Sequence, residues 1–118
     1  MANIRSGRAF RRDIETATGW TDLELLLRAL DELGARPLVL SPPLEGAFFD
    51  FWGVPSRSRQ AYYDRLRQTA DRYGVPLRDF ADHDGDPYFV VDFRSHLSPK
   101  GWAYYDQALD AFYHGALP

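Results

Sequence analysis

The sequence contains no cysteine, so disulfides, thiolate metal sites and cysteine nucleophiles are excluded from the start. It has no run of about 18 apolar residues, the length a membrane-spanning helix needs, and its first residues lack the apolar stretch of a signal peptide. A soluble chain without a targeting or transmembrane segment is the expectation. Positive charge is not in excess either. Fourteen basic against seventeen acidic residues give a net charge of −3, which argues against general nucleic-acid binding.

What is present is the material of one core. One hundred and eighteen residues suit a single domain, and 45% apolar with 26% charged residues are ordinary globular values. Aromatics are abundant at 15%, crowded into Phe48–Trp52, Tyr62–Tyr63, Tyr88–Phe89 and Trp102–Tyr113. Rings of this size bury large areas, so a core built with aromatics is the first expectation. Residues 1–20 set Arg5, Arg8, Arg11 and Arg12 among Ile4, Ala9, Phe10 and Ile14 and read as a solvated helical arm ahead of a domain spanning 21–118.

From Thr21 the pattern becomes definite. Thr21-Asp22-Leu23-Glu24 has the form of a capping box, followed at helical spacing by Leu23, Leu26, Leu27, Leu30 and Leu33 and by a stop at Gly34. Pro37–Leu40 reads as a short buried strand closed by Ser41-Pro42-Pro43. Leu44–Pro55 reads as a long aromatic loop, and Ser56 or Ser58 can cap a helix that carries Tyr62, Leu66, Ala70 and Tyr73 inward and stops at Gly74. Val75-Pro76-Leu77 looks like a second strand, kept to an edge by its proline. Ser98-Pro99 is a strong helix start, continued by Trp102, Tyr105, Leu109 and Phe112. Together these predict an α/β fold: a small, largely parallel sheet of two or three strands flanked by three principal helices. Such a sheet leaves an open edge, which predicts a homodimer or pairing with a further N-terminal segment.

Two groups of residues suggest chemistry. Asp82, Asp84 and Asp86 alternate like the start of a calcium loop, but Gly85 stands fourth rather than sixth and Phe93 replaces the glutamate of position twelve, so an Asp/Gly turn without metal is expected. Asp92 and His96 precede the Ser98-Pro99 helix start. A histidine acting as general base needs its second ring nitrogen held by an acceptor, and a nearby carboxylate supplies one. The spacing permits that pairing, and it equally permits a turn histidine bonded to backbone.

The blocks "GWTDLELLL", "PLVLSPP", "GDPYFVVD" and "HLSPKGW", in this order, resemble the C-terminal part of the DltD family of teichoic acid D-alanylation, over about Gly19 to Pro118. The resemblance implies half of an SGNH-hydrolase-like or flavodoxin-like layer. By it, His96 is the base of a serine acyl-transfer or thioesterase site and Asp92 its orienting acid. It implies no cofactor, an acyl carrier protein and a membrane-bound acyltransferase as partners, and a place on the extracytoplasmic face of the cell membrane. The family loop has the form Asp-x-x-His, whereas three residues separate Asp92 from His96 here. Either a one-residue bulge keeps Asp92 in place, or Phe93 occupies the acid's position and the dyad is broken.

The family's nucleophilic serine stands on an N-terminal strand-to-helix turn that residues 1–20 do not provide. Ser41 follows a strand but precedes two prolines, which remove amide donors from where an oxyanion hole needs them. Ser6 lacks a preceding strand. The expectation is therefore the acid and base of a site whose nucleophile comes from elsewhere, inactive as this chain alone. The alternatives are a non-catalytic binding module using the aromatic loop Phe48–Trp52 and, third, a small hydrolase working through Ser41.

Overall fold

The computed structural model describes residues 3–91 and 96–116. Its elements run α1 (Asn3–Thr16), α2 (Gly19–Glu32), β1 (Val39–Leu40), α3 (Gly46–Phe51), α4 (Ser56–Arg72), β2 (Leu77–Arg78), a single 3-10 turn (Ala81–His83) and α5 (Pro99–Tyr113). The two strands pair in parallel, Val39 opposite Leu77 and Leu40 opposite Arg78, with α4 as the crossover between them. This is the small parallel sheet the sequence predicts, with α2, α4 and α5 as its principal helices and α1 and α3 added.

α1 lies along α4. Gly7 lets the two helices close: a methyl group there would come within 3.0 Å of Ser58 Oγ and 3.3 Å of Pro55 Cδ. Phe10 meets Phe49 edge to face at 5.5 Å, which ties α1 to α3 as well. The indole of Trp20, buried at the start of α2, donates to the Ile14 carbonyl at 2.6 Å and locks the α1–α2 corner.

Several local expectations are corrected by this packing. α2 begins at Gly19 with Thr18 in the capping position, so Thr21 lies inside the helix and the capping box is not the start. The buried face of α2 is carried by Trp20 and Leu27, while Leu25, Leu26 and Leu33 are exposed. Leucine spacing marks a helix, but the neighbour decides which side is covered. The segment 44–55 is not all loop, because residues 46–51 wind into α3. α4 starts after Pro55, and neither Ser56 nor Ser58 caps it; Ser58 is buried against α1 instead.

The central hydrophobic cluster consists of Phe80, Phe89, Val90 and Ala108, with Leu40, Leu97, Tyr104 and Tyr105 packed against it. Phe80 directly follows Asp79 at the carboxyl end of β2 and adopts a left-handed backbone, φ 54°. That conformation is costly for a bulky side chain. It is held by near-complete burial and by stacking on Tyr105 at 5.2 Å, with the Arg78 guanidinium over the Phe80 ring at 4.5 Å. The turn aims Phe80 at Phe89, 5.2 Å away, and so seats the segment before α5 on the end of the sheet.

Candidate functional site: the His96 loop

His96 stands at the foot of one leg of a loop whose two legs, residues 86–91 and 96–101, are described in full. The legs are tied by backbone: Val91 N–H donates to the His96 carbonyl at 2.7 Å, Val90 and Leu97 form an antiparallel bridge, and Ser98 N–H donates to the Phe89 carbonyl at 3.0 Å. Val90 and Phe89 are buried in the core, so the histidine backbone is anchored while the residue itself is exposed. Asp92, the acid expected from the sequence, lies outside the described residues.

Ser98 performs the capping role its sequence context predicts. Its backbone is extended (φ −73°, ψ 170°), Pro99 fills the first helical position, and its Oγ accepts from Gly101 N–H at 3.1 Å. The same hydroxyl bonds to the carbonyl oxygens of Phe89, at 2.9 Å, and Tyr88. Gly101 permits the approach. A Cβ there would collide with the Phe89 carbonyl and come within 3.0 Å of Leu97 Cδ2.

Beneath the loop, Asp86 collects several partners. Oδ1 accepts from Tyr88 N–H at 2.9 Å, the turn that Asp-Pro-Tyr favours, and Oδ2 lies 2.6 Å from Lys100 Nζ and 3.5 Å from His83 Nδ1. The Lys100 hydrogen bond, followed by that of Tyr88 N–H, holds the Asp86 carboxyl below the ordinary carboxylate value, and Asp86 in turn raises Lys100 above the ordinary lysine value. The His83 ring is packed among Tyr104 at 4.4 Å, Phe89 at 5.0 Å and Phe80 at 6.4 Å.

The other sequence candidates are occupied structurally. Asp84 pairs with the buried Arg59, whose Nη2 is 2.7 Å from Oδ1; Arg59 also reaches Asp50 at 2.8 Å and the Val54 carbonyl at 2.8 Å. Burial lowers the Arg59 pKa, and the bonds to Asp84 and Asp50 outweigh it to leave the guanidinium firmly charged. Asp82 is exposed and faces Arg78 at 3.4 Å. Among the described residues no group of three or more His, Cys, Asp or Glu could hold a metal ion. Asp84 anchors the buried arginine, and Asp86 accepts from Tyr88 N–H in a turn.

Ser41 is buried at the carboxyl end of β1 with its Oγ 3.1 Å from the Tyr62 hydroxyl, and no histidine is its partner there. Ser58 and Ser98 are buried as well. Among the described residues the arrangement supplies an exposed histidine with an anchored backbone, and Ser41, Ser58 and Ser98 are committed to packing or capping. The sequence places Asp86 in an aspartate turn but not beneath His96, and it does not single out Lys100 or Arg59. The Asp-Pro dipeptide was a signal for the first, whereas a lysine and an arginine inside helices carry none.

No helix among the described residues is long and apolar enough to cross a membrane. The family model described as DltD protein matches residues 4–114. Protein DltD of Bacillus subtilis is 34% identical over 107 residues, 91% of this chain and 27% of that protein. Protein DltD of Staphylococcus aureus is 33% identical over 107 residues, 88% of this chain and 27% of its own length. The chain thus spans about a quarter of the curated relatives it matches. No solved structure matches it. The family model takes in α1 through α5 and the whole His96 loop, and the chain belongs to the DltD family.

Proposed function

We propose that this chain furnishes the general-base side of a serine acyl-transfer or thioesterase site in teichoic acid D-alanylation. The observation that carries the reading is the His96 loop: an exposed histidine whose own carbonyl is bonded to Val91 N–H, on a leg capped by Ser98. In this reading His96 takes the proton from a serine hydroxyl contributed by another segment. The serine oxygen attacks the D-alanyl carbonyl, and the imidazolium returns the proton to the departing thiol or alcohol. Asp92 would hold the second ring nitrogen. An acyl carrier protein and a membrane-bound acyltransferase would be its partners, at the extracytoplasmic face of the membrane.

The test is a chimera in which this chain replaces the matched quarter of B. subtilis DltD, with D-alanine ester content as the readout. Restored esters with the native chain and their loss with His96→Gln support the proposal. Equal ester content in both chimeras overturns it.

One observation favours a second reading, a non-catalytic binding module. Phe51 and Trp52 at the end of α3 are 82% and 58% exposed, side by side and in edge contact at 5.5 Å. Exposed neighbouring aromatics are the usual anchors of a protein interface. A chimera that needs Phe51 and Trp52 but tolerates His96→Gln would support this reading.

A further inference from the structure

Backbone hydrogen bonds tie the two legs of the His96 loop at Val91–His96 and Phe89–Ser98, and charge ties them at Asp86–Lys100. We infer that Asp86 and Lys100 are positioning residues, a charged brace that fixes where the loop presents His96. This rests on the reading of His96 as the general base.

The brace is a poor investment for stability alone. Lys100 is half exposed, and solvent screening leaves an ion pair of that kind little to contribute to stability. Its location is also adverse: Lys100 is the second residue of α5, where the helix macrodipole disfavours a cation. It is the sole lysine in a chain with fourteen basic residues, so the other thirteen are arginine. A lysine in a first helical turn calls for a local reason, and the Asp86 carboxylate 2.6 Å away supplies one.

The carboxylate is pre-set for this contact. Pro87 fixes the backbone after it, Tyr88 N–H takes Oδ1, and His83 faces Oδ2, the oxygen that meets Lys100. Asp86 therefore connects the 3-10 turn, the first leg and the start of α5. The ammonium, a compact point charge on a flexible stem, joins the two legs at their base by a contact separate from the backbone ties. A displacement of about 1 Å in a catalytic group can cost up to about a hundredfold in rate, so a weak tie can matter more to turnover than to folding.

The test uses three variants of the intact chain. Asp86→Asn keeps an acceptor for Tyr88 N–H and removes only the charge; Lys100→Gln removes the other partner; Lys100→Arg keeps a cation. Amide exchange at Val91, whose N–H bonds to His96, is expected to speed up about tenfold in the first two and to stay within about twofold of native in the third, with the global unfolding midpoint barely moved. In the B. subtilis DltD chimera, Lys100→Gln should lower kcat about tenfold at unchanged KM, and Lys100→Arg should keep it. Unchanged Val91 exchange, or a kcat indifferent to Lys100→Gln, overturns the inference. Exchange is read without any reaction, so it fails or holds separately from the general-base reading, whose own failure would appear as an active His96→Gln chimera.

Discussion

The guanidinium of Arg59 on α4 grips the carboxylate of Asp84, with Nη2 2.7 Å and Nε 3.1 Å from Oδ1. Arg59 is 4% exposed, and around the pair gather Asp50, the Val54 carbonyl and the Tyr63 hydroxyl. The backbone joins in, since Gly46 N–H donates to the Asp84 carbonyl at 2.8 Å. The aspartate turn, α3 and α4 are thereby fastened at one point. Asp84→Ala strands a buried cation with Asp50 as its remaining carboxylate, and should cost about 3 kcal/mol in urea denaturation. Asp82→Ala, at an exposed neighbour, should stay within about 0.5 kcal/mol of native.

Alkali should unfold the protein through two tyrosines. Burial, then the hydrogen bond to Asp84, raises Tyr63 well above the ordinary tyrosine value, and burial pushes Tyr105 up to about 12. Folded, both keep their protons to higher pH than they do unfolded. Their contribution is therefore complete below about pH 10 and is lost as pH rises through the folded-state values. Tyr63→Phe should lower stability by about 2 kcal/mol at neutral pH, because Leu44 N–H and Asp84 lose a partner, and should make the alkaline decline shallower. Urea denaturation at pH 7 to 11 measures both effects.

Gly101→Ala should disrupt the His96 loop from below. The new methyl group would meet the Phe89 carbonyl, Leu97 Cδ2 and Phe89 Cδ1, and backbone on the core side has no room to retreat. Overpacking of this kind costs about 1–3 kcal/mol, read as a lowered thermal midpoint. Gly19→Ala, with nothing within 4 Å, should instead leave the midpoint native or slightly raised.

The exposed pair on α3 should matter to association and not to folding. Phe51→Ser with Trp52→Ser should leave unfolding within about 0.5 kcal/mol of native. If the chain forms a homodimer through this surface, native protein should sediment as a dimer at high concentration and the double variant as a monomer. Equal sedimentation of the two places self-association elsewhere, with the open strand edge as the remaining surface.

Catalysis, if assembled, should depend steeply on the histidine. In the B. subtilis chimera His96→Gln should reduce turnover by about 10² to 10⁴, the range a general base contributes, while His114→Gln leaves it unchanged. His114 sits past the end of α5, bonded to the Asp110 carbonyl at 2.8 Å, and serves as the control.

Much of this protein was legible before any coordinates. The Ser98-Pro99 start of α5 depends on a side chain three residues from the amide it caps, and it forms as written. Gly34 and Gly74 take the left-handed turns that end α2 and α4, because the residue after a helix meets that demand locally. Short apolar runs marked where the two parallel strands lie, although β1 takes only the last two residues of its run and β2 starts at the last residue of its own and takes in Arg78. The motif blocks led to the family, because a motif is a local string.

Tertiary structure decided what depends on neighbours distant in sequence. Which side of α2 is covered is seen in the burial of Trp20, which packs against Tyr62 of α4, and of Leu27, and the leucine spacing alone does not make that choice. Whether Asp84 binds a metal or an arginine is set by Arg59, 25 positions earlier and on another element. The brace under His96 is of the same kind, since Asp86 and Lys100 are brought together only when the loop closes and Phe89 enters the core. Local geometry is encoded within a few residues. Partnership between charges is encoded only in the fold, because burial and distance, which set its strength, do not exist until the chain has packed.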